Sequence, residues 1–145
     1  MKRFTSGNWL TVGMVSLVLA MAVSAQGNGK TNPDAKPTIA TIEGLVRDIS
    51  CAIQDKQSTA TDFNIKCALQ CARNGSPLII LSKDGVIYTP ISDATPDKDV
   101  RQPLMPFVGK YVNVTGQVFE RTGTHAIAIN QITEMKNVRL VTDQR

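Results

Sequence analysis

Three cysteines, Cys51, Cys67 and Cys71, are the residues whose type and spacing could do chemistry in this 145-residue sequence. An odd number in an exported chain leaves one thiol free, bonded elsewhere, or part of a metal site. Cys67 and Cys71 are four apart, which on a helix sets their Cβ atoms about 5–6 Å apart, whereas a disulfide wants about 3.8 Å. They should not bond to each other. Two arrangements survive. One is a structural disulfide from Cys51 to Cys67 or Cys71, closing a loop of about 15 to 19 residues and stabilising by about 3 kcal/mol. The other is a three-thiolate site in which Cys51, Cys67 and Cys71 share a soft ion such as Cu(I) or Zn(II). Either one requires Cys51 to lie against a helix cysteine, with Cα atoms less than about 7 Å apart for the bond or slightly more for shared coordination.

The remaining candidates are weaker. His125 is the sole histidine. It sits just after the turn Thr122-Gly123-Thr124, where such a residue is usually a bystander, and could complete a metal site only if that turn met the cysteine helix. A hydrolase using Cys51 as nucleophile and His125 as base would rest on one residue of each kind. The acids, among them Glu43, Asp48, Asp55, Glu120 and Glu134, show no spacing that singles out an acid–base pair. Neither a Gly-rich phosphate loop, a nucleophile elbow nor a zinc-protease motif occurs. Asn113-Val114-Thr115 fits the glycosylation triplet but falls inside an expected strand. Enzyme function is therefore the minority reading.

The elements that must position the cysteines begin after an export signal. Lys2 and Arg3 precede an uncharged, largely apolar run from Trp9 to Val23, and Val23-Ser24-Ala25 offers small residues at −3 and −1 before Gln26, so residues 1–25 read as a cleavable signal peptide. The run is shorter than the roughly 20 apolar residues of a spanning helix, so no membrane span is expected after cleavage. Without Lys2 and Arg3 the 16 basic residues fall to 14 against 12 acids, a net charge of about +2. That gives no electrostatic reason to expect nucleic acid. The expected location is periplasmic or secreted.

Residues 26–37, with Gly27, Gly29, Pro33 and Pro37, form a flexible leader. From Thr38 the apolar pattern has mostly a period of two, the alternation of strands. The first strand runs from Ile39 to Ile49, with Ile42, Gly44 and Val46 inward and Glu43, Leu45 and Arg47 on the other face, where Leu45 breaks the pattern. A helix follows, N-capped by Thr61 or Asp62, passing through Ile65, Cys67, Leu69 and Cys71 and stopped by Asn74-Gly75. Leu78 to Leu81 and Val86 to Tyr88 form a hairpin over Ser82-Lys83-Asp84-Gly85, the first strand buried on both faces. Pro103 and Pro106 interrupt a helical plug within 99–108. Tyr111 to Glu120 and His125 to Ile132 close the pattern, with Val112, Val114 and Val118 inward and a bulge or bend at Gly116.

Five strands, with one short helix between the first two and a helical plug before the fourth, are the layout of an OB-like β-barrel, here over 38–136 with a tail at 137–145. OB barrels often bind single strands by stacking bases on aromatic side chains. Phe63, Tyr88, Phe107, Tyr111 and Phe119 do not recur along the central strands, and export argues further against such a partner.

The sequence also resembles a group of small bacterial exported proteins with an OB-like domain. The likeness covers roughly Ile42 to Ile129 and rests on Glu43-Gly44-Leu45-Val46-Arg47-Asp48-Ile49-Ser50-Cys51, on Cys67-Ala68-Leu69-Gln70-Cys71-Ala72, on Asn74-Gly75-Ser76-Pro77-Leu78 entering the hairpin, and on Val108 to Gly116. Members commonly carry a histidine three residues before the first helix cysteine, where this sequence has Asn64, so one potential fourth ligand is missing. The resemblance brings no assigned activity. The expected function is a non-catalytic binding or stability module, its partner an unidentified protein or small ligand. An oxidising compartment favours the disulfide over the metal site. The alternative is a soft-metal-binding or thiol-redox accessory protein using the same three cysteines.

Overall fold

The computed structural model describes residues 36–142. The expected signal peptide, most of the leader and the last three residues lie outside the described residues. Alternating apolar residues build five strands, β1 (Thr38–Asp48), β2 (Leu78–Ser82), β3 (Ile87–Ile91), β4 (Tyr111–Arg121) and β5 (Thr124–Glu134). They close in the order β1-β2-β3-β5-β4, β4 returning to β1. All neighbours are antiparallel except β3 and β5, which run parallel with Tyr88 opposite His125. This is the OB-like barrel that the strand spacing predicts.

Long β1 belongs to both halves of the barrel. It pairs with β4 over Thr38–Leu45 and with β2 over Gly44–Asp48, so Gly44 stands opposite both Ser82 and Val112. A Cβ there would lie 2.5 Å from the Leu81 carbonyl oxygen, which is why the crossing requires glycine. The bulge expected at Gly116 is present as a register shift between Thr115 and Gly116. It tightens β4 around the barrel.

The inward set is as the alternation predicts. Ile42, Val46, Ile80, Val112, Val114 and Ile127 are buried together in the interior, with Val118 packed against them. Pro103 and Pro106 shape the plug, which is one helical turn, α3 (Arg101–Leu104), continued as a 3₁₀ turn (Met105–Phe107). Leu104 drops into the same core.

The outer face of β1 and β2 departs from a simple inside-and-outside pattern. Leu45 and Arg47 are completely buried, because the connection from β1 to β2 and the segment after β5 form a second layer over that face. Leu45, Ile79, Leu81 and Tyr111 meet Phe63 and Ala68 there, with Val138 and Leu140 added from beyond β5. The Val141 amide donates to the Thr61 carbonyl at 2.8 Å and the Phe63 amide to the Val141 carbonyl at 3.0 Å, fastening the two segments together. Leu45 is thus a member of a second core. The same layer explains why β2 is apolar at nearly every position.

Candidate thiol site

Two short helices in that layer carry the cysteines. The first strand ends at Asp48, and Cys51 belongs to a helical turn, α1 (Ile49–Gln54), that precedes the expected helix. The cause is local. Asp48 is buried in extended conformation and its Oδ2 accepts the Cys51 amide at 2.7 Å, capping α1. The second helix, α2 (Ile65–Arg73), starts later than Thr61 or Asp62 would allow, with Asn64 as its cap. Asn64 Oδ1 accepts the Cys67 amide at 2.9 Å. The amides of Thr61 and Asp62 are already turned back onto Thr59 Oγ1 at 3.3 and 3.0 Å, which occupies them in a tight turn before the helix. Both Cys51 and Cys67 therefore sit three residues after a capping side chain, in the runs Asp48-Ile49-Ser50-Cys51 and Asn64-Ile65-Lys66-Cys67.

The far end of α2 is held as firmly. It stops at Asn74, as the sequence predicts, with Gly75 at φ +93°. Arg101 reaches from the plug to the released carbonyls, donating to Ser76 O at 2.7 Å and to Ala72 O. Ser50 and Ser76 hydroxyls lie 3.1 Å apart, joining the start of α1 to the end of α2. Ala68 and Ala72 fall on the buried side of α2. Cys67 and Cys71, one turn apart, stay half-buried and turn toward α1.

These constraints bring all three sulfurs together. Cys51 and Cys67 lie at disulfide-bonding distance with Cα atoms 7.3 Å apart. Cys71 Sγ is 3.6 Å from Cys51 Sγ and 3.9 Å from Cys67 Sγ. Among the described residues, these three thiols form the one group of His, Cys, Asp or Glu with metal-ligand spacing. The Cys51 proximity expected from the sequence is present. His125 instead tilts against Tyr88 with ring centroids 5.5 Å apart and does not join the thiols.

Arg47 lies beneath the group, and sequence reading placed it on an outer face with no role. It donates to Ser58 Oγ and rests over the Phe63 ring at 5.8 Å. Burial holds its pKa below the usual arginine value, opposed by the charges of Asp48, Asp55 and Cys71. Among the described residues its Nε finds no acceptor, and Asp48 Oδ1 finds no donor. A cleft of about 310 Å³ lined by Arg47, Cys51, Gln54, Asp55, Asn64 and Cys67 opens onto the first two sulfurs; Cys71 is not part of its lining. The signal in the sequence is only a charged residue on the second face of β1, four positions before Cys51. Period-two alternation assigns that face to solvent.

Chemically, the arrangement offers three soft donors on two capped helical turns, a buried cation nearby, and a polar opening. Comparison with protein-family models, curated proteins and solved structures finds no match for this chain.

Proposed function

We propose that the protein is an exported, non-catalytic binding module in which Cys51, Cys67 and Cys71, when reduced, hold one soft cation, Cu(I) ahead of Zn(II). The observation that carries this reading is the convergence of the third sulfur. A clasp between two elements needs two cysteines, yet Cys71 stands 3.6 and 3.9 Å from the other two sulfurs. Thiolates bound to one ion at about 2.3 Å are about 3.8–4.0 Å from each other, so these two separations are close to those of shared coordination. Cys51 and Cys67 lie at bonding distance and would have to separate to ligand spacing on reduction, which a Cα separation of 7.3 Å, just beyond the range usual for disulfides, accommodates. Cu(I) comes first because thiolates select soft ions, and a three-sulfur set lacks the fourth ligand of a closed structural zinc site. Zn(II) would take water through the cleft as its fourth ligand. Export rests on the pattern of residues 1–25, and the OB-like barrel serves as the scaffold.

A structural clasp is the second reading, favoured by the bonding distance between Cys51 and Cys67. Non-denaturing mass measurement of the mature protein, with and without thiol alkylation, separates the two. The metal reading expects the reduced protein to retain one copper ion, and three alkylated thiols once the ion is removed. A protein isolated with a stable disulfide and one free thiol, which after reduction retains no copper, would leave the clasp alone.

A further inference from the structure

We propose that oxidation gates this site: Cys51 and Cys67 are oxidised first, the ion is expelled, and Cys71 then exchanges with the new disulfide, so that Cys51 alternates between two partners on α2. The first part rests on the metal reading above; the pairing order does not.

The order follows from which sulfurs are paired. Cys51 and Cys67 are the pair at disulfide-bonding distance and Cys71 is the free thiol beside them. The cleft lined by Gln54, Asp55 and Asn64 admits a small oxidant of the peroxide class to that pair. In the first step a thiolate attacks one peroxide oxygen and becomes a sulfenic acid, and hydroxide leaves. In the second, the neighbouring thiolate attacks the sulfenic sulfur, the disulfide forms, and a second hydroxide leaves. Two thiolates, one peroxide and two protons from solvent thus give one disulfide and two waters, and the two electrons end on the peroxide oxygens. The thiolates supply both electrons, so a redox-inert ion such as Zn(II) leaves with its charge unchanged.

Two of the three ligands are consumed at once. The remaining Cys71 thiolate offers a single bond, too few to retain the ion against water or a chelator.

Cys71 is then a nucleophile beside the bond, 3.6 Å from Cys51 Sγ and 3.9 Å from Cys67 Sγ. Attack of the Cys71 thiolate on Cys51 Sγ forms Cys51–Cys71 and releases Cys67 as a thiolate, so the negative charge passes from Cys71 to Cys67 and no proton need move. No net oxidation or reduction occurs. Attack on Cys67 Sγ would require a bond between residues one turn apart on the same helix, which helix geometry disfavours. Cys51 is therefore the common member of both disulfides.

Zn(II) is the suitable probe, since it has no redox chemistry of its own. The reduced full-length mature protein is loaded with one equivalent of Zn(II) and titrated with hydrogen peroxide. Released zinc is read with a chromogenic chelator, and samples quenched in acid are mapped for disulfides. The expected result is release in step with disulfide formation, one zinc per peroxide consumed. Cys51–Cys67 should form first and Cys51–Cys71 should grow at its expense, while Cys71→Ser, tested metal-free, should stop at Cys51–Cys67. Zinc that stays bound after the disulfide has formed, Cys71 oxidised first, or a dominant Cys67–Cys71 bond would overturn the proposal. If the reduced protein binds neither zinc nor copper, the metal reading fails by itself, and the pairing order in the metal-free protein still decides the exchange.

Discussion

Replacing Asn64 with alanine tests whether the cap, and not the helix sequence, holds Cys67 in place. Asn64 accepts the Cys67 amide at 2.9 Å from an extended conformation, and α2 has only nine residues. So short a helix is marginal on its own, and its first turn depends on the cap and on packing. Loss of an Asn cap costs about 1 kcal/mol, within a range of about 0.5–2. For a domain of this size that is a fall in Tm of about 4–6 °C. If the whole cost falls on the turn that presents Cys67, it also weakens Zn(II) binding by about fivefold, since about 1.4 kcal/mol is tenfold. The assay is urea denaturation of the reduced, metal-free protein, with an unchanged slope as evidence that the same surface unfolds. Asn64→Asp keeps an acceptor at the same place and should stay within about 0.3 kcal/mol of the parent. The reasoning is refuted if Asn64→Ala matches the parent, or if Asn64→Asp is as damaging as Asn64→Ala.

Leu45→Ala should cost about 3 kcal/mol in the same denaturation assay, because Leu45 is fully buried in the outer core; a loss below about 0.5 kcal/mol would mean that this face is solvated. Gly44→Ala should destabilise by about 1–3 kcal/mol, since its Cβ meets backbone at Leu81 and cannot be accommodated by a rotamer change. Burial, and then the negative charges of Glu43 and Asp84, raise the pKa of Tyr111 above the usual tyrosine value. The neutral phenol is thus favoured in the folded state. Its contribution is fully present below pH of about 10 and is lost as pH rises through the folded pKa, so Tyr111→Phe should flatten the alkaline limb of stability measured by urea midpoint against pH.

The barrel was legible because strands with one core face write period-two alternation into the sequence. Val112, Val114 and Val118 share a phase, and Gly116 interrupts it where β4 bulges. The outer layer was not legible. Leu45 read as a flaw in β1 and Arg47 as a solvent-facing charge, because alternation along one strand carries no information about a second layer that arrives from residues 49–77 and from beyond β5. The thiol cluster was legible in outline: i,i+4 spacing put Cys67 and Cys71 on one helical face, and their approach to Cys51 was expected. Its local cause was missed. Asp48 and Asn64, each three residues before a cysteine, are the N-cap signals of α1 and α2. Thr61 and Asp62 looked like better caps because capping preference is a property of the residue type, whereas the winner is set by Thr59, which draws both of their amides into a turn. His125 carried no spacing signal toward the cysteines, and it packs on Tyr88 instead.

X-ray absorption of the copper-loaded, reduced protein tests the central claim most directly, because it counts the sulfur atoms around the ion. The account predicts three sulfur scatterers at a single short distance of about 2.3 Å, falling to two in Cys71→Ser. A sulfur count of two that Cys71→Ser leaves unchanged, or a shell of nitrogen and oxygen, would contradict a site shared by Cys51, Cys67 and Cys71.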